Sequence, residues 1–428
     1  MKAAVPPRAT FRDVLAVGEF RALWLSVVLS IAGDRLALVA LTLLVYDRTG
    51  SPLLAAAAYA AGYLPWVIGG LFLSGVADRR PRRSVMVACD AVRAVLVAAM
   101  AVPGVPLPAL VALLFAATMF APPFESARAS ITPDILTGER YALGTAVLQT
   151  THLGAQVLGA AGGGVAVAFL GVRPSLAIDA ATFVVSGLLV GLGTRARPAA
   201  AAAPGRPSPL ARMAGGLRLV FGDRALRTLV LFGWLVAFYT VPEGVAAPYA
   251  AGLGGGPVAT GLVLASTAAA TAVATPLFSR FVRPRARLAL MGPLAVATCA
   301  TLVLIGARPG LAVSLVIFSV SAAFGAYQLA ANTAFVVRVP NQRRAQAFGI
   351  ANMGVVVGQG AAFVAAGAAA ELVTPATVIA IAGGLGAVAA AALARSWHRT
   401  SPPGGRHAVL RRPAHAGPAS PAPLHKST

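Results

Sequence analysis

The chain has 428 residues, of which 58% are hydrophobic and only 11% charged, with a formal net charge of +22 and a mean hydropathy of +0.79. A soluble domain carries about 25% charged residues, so this composition excludes a protein that covers itself with polar surface. The excess arginine would point to nucleic acid in a soluble protein, but here it collects in turns between apolar runs, as positive-inside topology requires.

The elements follow in chain order. Over Thr10–Arg21, Phe11, Val14, Leu15 and Phe20 interleave with Arg12, Asp13 and Glu19, which predicts a short amphipathic helix on the membrane face. Residues 1–20 are polar and the next apolar run is long enough to cross, so no cleaved signal peptide is expected. That run, Ala22–Tyr46, is interrupted only by Asp34 and Arg35 near its middle. Leu53–Val76 and Ser84–Val102 flank a basic turn, and the second of them carries Asp90 and Arg93. Ala109–Ile131 holds Pro122, Pro123, Glu125 and Arg128. The fifth run is rich in glycine at Gly154, Gly159 and Gly162–Gly164, which permits close helix approach. The sixth, Pro174–Leu192, carries Asp179.

Residues 194–227 break the apolar pattern with Ala, Pro, Gly and Arg, and Leu217–Phe221 within them predicts an interfacial helix. Six further apolar runs lie near 228–250, 257–279, 288–306, 310–335, 346–370 and 373–395. At about 20 residues per crossing, the fold class expected is an all-α integral membrane protein of about twelve transmembrane helices in two six-helix halves. The domains read as an N-terminal segment 1–21, a half at 22–193, a linker at 194–227, a second half at 228–395 and a disordered tail at 396–428.

Charge orients this arrangement. Turns expected on the cytoplasmic side hold Arg79, Arg80, Arg82, Arg83, Arg140, Arg283, Arg285, Arg287, Arg338, Arg343 and Arg344, whereas the opposite turns hold only Arg48, Arg173 and Arg308. A multi-pass protein of the cell membrane with both termini cytoplasmic is expected. The halves also echo one another: Pro133, Asp134, Glu139, Arg140 and Gly144 have a counterpart in Pro340, Arg343, Arg344 and Gly349. Such repeats place a substrate site near the midplane between halves.

The basic turn, Gly75, Asp78, Arg79, Arg80, Pro81, Arg82 and Arg83, resembles the signature loop of the major facilitator superfamily. It departs from that loop in having Pro81 where a glycine is usual and Gly75 one residue closer to the acid. Phe20, Arg21 and Trp24, Gly33 and Asp34, and Leu44 through Pro52 resemble one branch of it. So do Asp90 and Arg93, Ile178–Ala180 with Phe183, and Ala347–Gly349. The branch is that of drug:proton antiporters, which includes siderophore (enterobactin) and macrolide exporters. The resemblance spans nearly all of 11–396 and implies alternating access of two halves around a central cavity.

It also implies a cytoplasmic gate, in which Asp78 contacts the start of the eleventh span when the cavity faces outward. A helix N-terminus carries about half a positive charge, so a carboxylate near Ala345–Phe348 would latch that end, with Gly349 and Gly354 allowing close approach. The alternative is that Asp78 neutralises an arginine-rich turn. Arg79, Arg82 and Arg83 belong to the same gate. Asp90 with Arg93 and Glu125 with Arg128 each stand at i,i+3 and are expected to pair, either as part of the gate or as static neutralisation.

An acid at the bilayer midplane costs about 2.5–3.5 kcal/mol on insertion scales and is a functional candidate by default. Asp34 is therefore the first proton-coupling candidate, with Asp179 and Glu125 behind it. The other readings of Asp34 are a static ion pair with Arg35 and a substrate contact. Arg35 itself is open to an anionic substrate, or to Glu243 or Asp179 from a neighbouring span. Glu243, after Pro242, reads as a residue of the water interface or of the cavity; Tyr63, Trp66, Phe238 and Tyr239 are aromatic cavity candidates or packing residues.

The function expected is secondary transport, with proton-driven efflux of a hydrophobic or amphipathic small molecule ahead of import or facilitation. The partners expected are that molecule, protons and the bilayer, with no nucleic acid and a monomeric chain. No HExxH, GxSxG or GxxxxGK[ST] motif is present, and neither a metal site nor a cofactor is expected. Cys89 and Cys299 lie far apart inside apolar runs and provide no disulfide framework. A membrane enzyme or a non-transporting receptor is the reading from another class.

Overall fold

In hydrocarbon a chain must satisfy its backbone N–H and C=O groups internally, and runs of Ala, Leu, Val and Ile do so as helices. The computed structural model describes residues 10–73, 80–197 and 209–400, which are helical with short connections and contain no strand. Twelve helices are long and apolar enough to cross a membrane. In the first half, spans 1 to 6 are Gly18–Thr49, Pro52–Gly70, Arg82–Ala101, Leu107–Ile135, Glu139–Leu170 and Val172–Gly193. In the second, spans 7 to 12 are Arg224–Gly244, Pro257–Phe281, Pro284–Ala307, Leu311–Arg338, Asn341–Ala370 and Pro375–Arg399.

The structure differs from expectation at the start of span 1. The amphipathic stretch at Thr10–Arg21 is split: only Phe11–Leu15 forms a separate helix, capped by reciprocal bonds between Thr10 and Asp13, and span 1 already begins at Gly18. Phe20 and Leu23 are buried, so this segment is drawn into the core rather than laid flat on a surface. The interfacial element expected at Leu217–Phe221 is the end of a longer helix, Pro209–Gly222, whose Gly215 and Gly216 rest on Gln346 at the start of span 11.

Several spans are broken where proline or glycine leaves the helical ladder. Span 4 changes course at Phe120, ahead of Pro122 and Pro123, and span 10 at Gly325. Span 7 is a chain of short helices, Arg224–Trp234, Val236–Tyr239 and Val241–Gly244, continued by Ala246–Gly252. Its kinks turn Tyr239 and Glu243 toward the space between the halves.

The two ends of the bundle are built differently. At the end away from the basic turns the halves touch backbone to backbone. A Cβ on Gly164 of span 5 would stand 2.6 Å from the Pro257 carbonyl and 2.9 Å from Gly261 Cα of span 8. At the contact of spans 2 and 11, Glu371 of the second half accepts hydrogen bonds from Ser51 Oγ (2.5 Å) and Leu53 N–H (3.1 Å), closing over the start of span 2. At the basic end a gap of about 300 Å³ separates Trp66 and Gly70 of span 2 from Gly349 and Met353 of span 11, with Met213 at its edge.

Candidate transport cavity and buried charge cluster

A cavity of about 320 Å³ lies between the halves. Spans 1, 2 and 5 contribute Arg35, Tyr59, Tyr63 and Gln156; spans 7, 8, 10 and 11 contribute Tyr239, Thr240, Glu243, Thr267, Thr271, Ser321 and Gln359. Leu38, Val39, Leu264 and Phe318 form its apolar walls. The lining is therefore more polar than the apolar composition of the spans suggested. Single polar residues spaced along different spans converge only when the helices pack, so no run of sequence displays them together.

Arg35 anchors the first half's side of this cavity. Its two terminal nitrogens donate to Tyr63 Oη (3.0 Å) and Gln156 Oε1 (2.8 Å), and its guanidinium carbon stands 5.8 Å from the centre of the Tyr63 ring. The expectation that Arg35 bonds Glu243 or Asp179 directly is corrected: Tyr63 stands between Arg35 and Glu243. Glu243 Oε2 accepts from the hydroxyls of Tyr59 (3.2 Å) and Tyr63 (3.3 Å), which belong to the other half. Glu243 is thus a cavity residue and not a group at the water interface, because the kinks of span 7 carry it inward.

Two aromatic candidates lie elsewhere. Phe238 packs inside the second half against Cys299 and Gly386. Trp66 lines the gap at the basic end and not the central cavity. Tyr239 does line the cavity, where its hydroxyl meets Gln328 Nε2 at 3.2 Å.

The acids singled out in the first half form a second constellation, where spans 1, 3 and 6 meet. Gly33 is small enough to let span 6 approach, since a Cβ there would overlap Asp179 Oδ1 and Thr182 Oγ1. Arg93, 2% exposed, pairs with Asp34 Oδ1, donates to Ser30 Oγ at 3.1 Å and stacks 4.1 Å from the centre of the Phe183 ring. The expected i,i+3 pair between Asp90 and Arg93 is not formed: Asp90 Oδ2 instead accepts from Ser186 Oγ at 2.6 Å. Nor does Arg35 fold back onto Asp34, since adjacent helix positions point about 100° apart. Asp90 Oδ1 and Asp179 Oδ2 are buried without a donor, while the Asp34 side chain is 42% exposed. Asp179 therefore lies at the depth of Asp34, against Gly33 of span 1.

At the basic end Glu125 and Arg128 do pair, with Arg128 Nε 3.0 Å from Glu125 Oε2. Arg82 pairs with Asp134 and Arg83 donates to the Gly191 carbonyl, both contacts within the first half. Asp78 and Arg79 lie outside the described residues. With the basic end gapped, a Cβ on Gly349 would meet no neighbour within 4 Å, and Gly354 packs against Trp234 of its own half. The residues that sequence reasoning missed are Tyr59, Gln156, Gln359, Ser186 and Glu371, and Phe183, quoted only as part of a family motif, proves to be the ring on which Arg93 stacks. The only signal for them was a polar or aromatic residue alone in an apolar run.

The sequence profile of the Major Facilitator Superfamily matches residues 23–339. The chain belongs to that superfamily. Among solved structures, the nucleoside transporter NupG is similar at 15% identity with a TM-score of 0.69, covering 88% of this chain and 99% of that one. A POT family transporter in complex with a thioalcohol-conjugated peptide is similar at 12% identity with a TM-score of 0.68, covering 90% and 96%. A bacterial homologue of the iron transporter ferroportin, in an inward-facing state, is similar at 15% identity with a TM-score of 0.65, covering 90% and 100%. No curated protein sequence matches the chain. These likenesses establish the fold, and the superfamily member is a multi-pass membrane transporter of small molecules.

Proposed function

We propose that this transporter is a proton-coupled exporter of a hydrophobic or amphipathic small molecule, working as a monomer in the cell membrane by alternating access. The observation that carries the reading is a cavity walled by both halves, tied shut at one end by Glu371 and the Gly164–Gly261 crossing and gapped at the other. The arginine asymmetry assigns the gapped end to the cytoplasm, together with both termini and the 194–227 linker. The molecule would enter there and leave through the opposite end once the halves rock.

Proton coupling is supported by the first-half cluster, where Asp34, Asp90 and Asp179 surround one guanidinium, that of Arg93. Three carboxylates cannot all be balanced by one cation, so the cluster has room for a proton. Asp34, the partly exposed member, is the residue proposed to exchange it; Asp179 and Glu125 come next. Asp78, Arg79, Arg82, Arg83, Asp90, Arg93, Arg128 and Gly349 are proposed to gate the cytoplasmic end when it closes.

The test is accumulation of amphipathic dyes and macrolides in proteoliposomes with and without an imposed pH gradient. Gradient-driven accumulation that Asp34→Asn abolishes is expected. Accumulation against a gradient by Asp34→Asn, or transport indifferent to pH, refutes the coupling. A second reading, facilitated passage of a small polar solute, is favoured by Arg35, Gln156, Glu243 and Gln359 in the lining. It predicts solute flux down its gradient in either direction and none for the dyes.

A further inference from the structure

Two glutamates of the second half reach across to span 2. Glu371 is held by Ser51 and Leu53 at the closed end, and Glu243 by Tyr59 and Tyr63 in the cavity. The donors fall within thirteen consecutive residues, 51–63, so one short stretch of the first half, the helix Pro52–Ala60 and the turn after it, carries both ties. The cavity tie is the unusual one. Both tyrosine hydroxyls converge on Oε2 at 3.2 and 3.3 Å, long for hydrogen bonds to a carboxylate, and Oε1 has no donor among the described residues.

Arg35 is in the opposite situation. Both of its terminal nitrogens already have acceptors within the first half, Tyr63 and Gln156, so its charge is anchored to that half. An anion arriving at Arg35 would have to displace one of these and would also face Glu243. A cation arriving at Oε1 displaces nothing. It meets an aromatic wall, since Tyr59, Tyr63 and Tyr239 all line the cavity.

We propose that Glu243 sets the specificity of this cavity by receiving the positively charged centre of an organic cation, and that the cation, in taking this carboxylate, loosens the tyrosine bonds that hold span 2 to span 7. This rests on the cavity being the transport path. The two oxygens of a carboxylate share one negative charge, so a cation at Oε1 weakens Oε2 as an acceptor. Occupancy is then linked to the seam between the halves: filling the site removes the cavity tie and leaves the tie at Glu371 to hold the closed end.

The experiment is equilibrium binding of radiolabelled tetraphenylphosphonium and of its isosteric anion tetraphenylborate to the purified full-length protein. It compares wild type, Glu243→Gln, Glu243→Asp and the Tyr59→Phe/Tyr63→Phe pair. Wild type is expected to prefer the cation. Glu243→Gln should lose about tenfold or more of that affinity, as expected when the Coulomb attraction of the carboxylate is removed from a site shielded from water. Glu243→Asp should recover part of it. The double tyrosine variant should bind the cation at least as well as wild type, because Oε2 no longer has to be given up. A packing role for Glu243 would not give that last result.

Preference for tetraphenylborate would make Arg35 the recognising group and overturn the proposal. Unchanged cation binding by Glu243→Gln, or no cation binding by wild type, also overturns it. If Glu243→Gln fails to fold, the charge preference of wild type and the Asp variant still decide. No pH gradient is applied, so failure here leaves proton-driven export of neutral molecules standing, and success does not depend on proton drive.

Discussion

Replacing Arg93 by methionine removes the one guanidinium among the carboxylates of spans 1, 3 and 6 while keeping an unbranched apolar stem. Arg93 is 2% exposed, and Asp90 and Asp179 are fully buried. Removing one partner of a buried ion pair costs about 3–5 kcal/mol, because the remaining charge is left uncompensated. Asp34 is 42% exposed and can rehydrate, so its share of the loss stays near the surface value of at most about 1 kcal/mol. The stack on Phe183 at 4.1 Å is desolvated and is worth about 2 kcal/mol. The remainder of a total near 3–5 kcal/mol, about 2 kcal/mol at most, falls on Asp90 and Asp179, each of which already has one oxygen without a donor. A total near 3–5 kcal/mol corresponds to a fall in melting temperature on the order of 10 °C for domains of about 150–250 residues. The assay is thermal unfolding of the detergent-purified variant followed by tryptophan fluorescence. The decisive control is Arg93→Met combined with Asp90→Asn and Asp179→Asn, which should recover the share that falls on the two buried carboxylates, because neither is left charged and unpaired, while the Phe183 stack stays lost. Unchanged melting of the single variant, or no recovery in the triple variant, would refute an electrostatic role and leave Arg93 as a packing residue.

Three further outcomes are expected. Hydrogen bonds from the Ser51 hydroxyl and then the Leu53 N–H hold the Glu371 carboxyl below its usual range, so the closed-end tie is fully present above the ordinary glutamate pKa and is lost as pH falls through the lowered value. The separation of spin labels at the exposed positions Leu54 and Leu372 should therefore stay flat through neutral pH and widen only in acid, and Glu371→Gln should show the wider separation at neutral pH. Gly164→Val would drive a side chain into the Pro257 carbonyl and Gly261 Cα, so spin labels across spans 5 and 8 should report a wider separation at that end; an unchanged distance would contradict the close crossing. With Cys89 and Cys299 replaced, an impermeant maleimide applied to whole cells should label a cysteine at Arg173 but not one at Gly222, and the reverse pattern would invert the proposed topology.

Much of the fold is legible in composition because a membrane span must be both long and apolar, a demand that leaves a mark some twenty residues wide. Breaks inside spans are less legible. Pro242 signals a disturbance in span 7, but nothing near it says that the helix will turn Glu243 into the cavity rather than toward water. Pairing of charges was the weakest expectation. Sequence spacing suggested Asp90 with Arg93, yet an arginine on a helix reaches neighbouring spans as easily as its own next turn, and Gly33 brings span 6 close enough for Asp34, Asp179 and Arg93 to meet. The i,i+3 rule held for Glu125 and Arg128, where the pair can close on its own helix. Polar cavity residues such as Tyr59, Gln156 and Gln359 carry no pattern at all, because each comes from a different span.

The contrast between the two ends of the bundle bears on how it moves. At the closed end the halves meet through glycine backbones and through Glu371, held at the start of span 2, and below it Glu243 is held by span 2 in the cavity. At the basic end, Arg82, Arg83 and Arg128 are occupied within the first half, and Gly349 faces open space. Opening the closed end thus breaks cross-half contacts, whereas closing the basic end has to make contacts that this conformation lacks. A transporter can cycle only if the two sets of contacts are close in free energy, because a ligand shifts the equilibrium by no more than its difference in affinity for the two states. Contacts such as those at Glu243 and Glu371 suit that requirement. They are few, long or exposed to solvent, and each ends on a carboxylate whose charge a proton or a bound cation can cancel. The glycine crossing of spans 5 and 8 has no such group, and it supplies a pivot on which the halves can rock while the glutamate ties release.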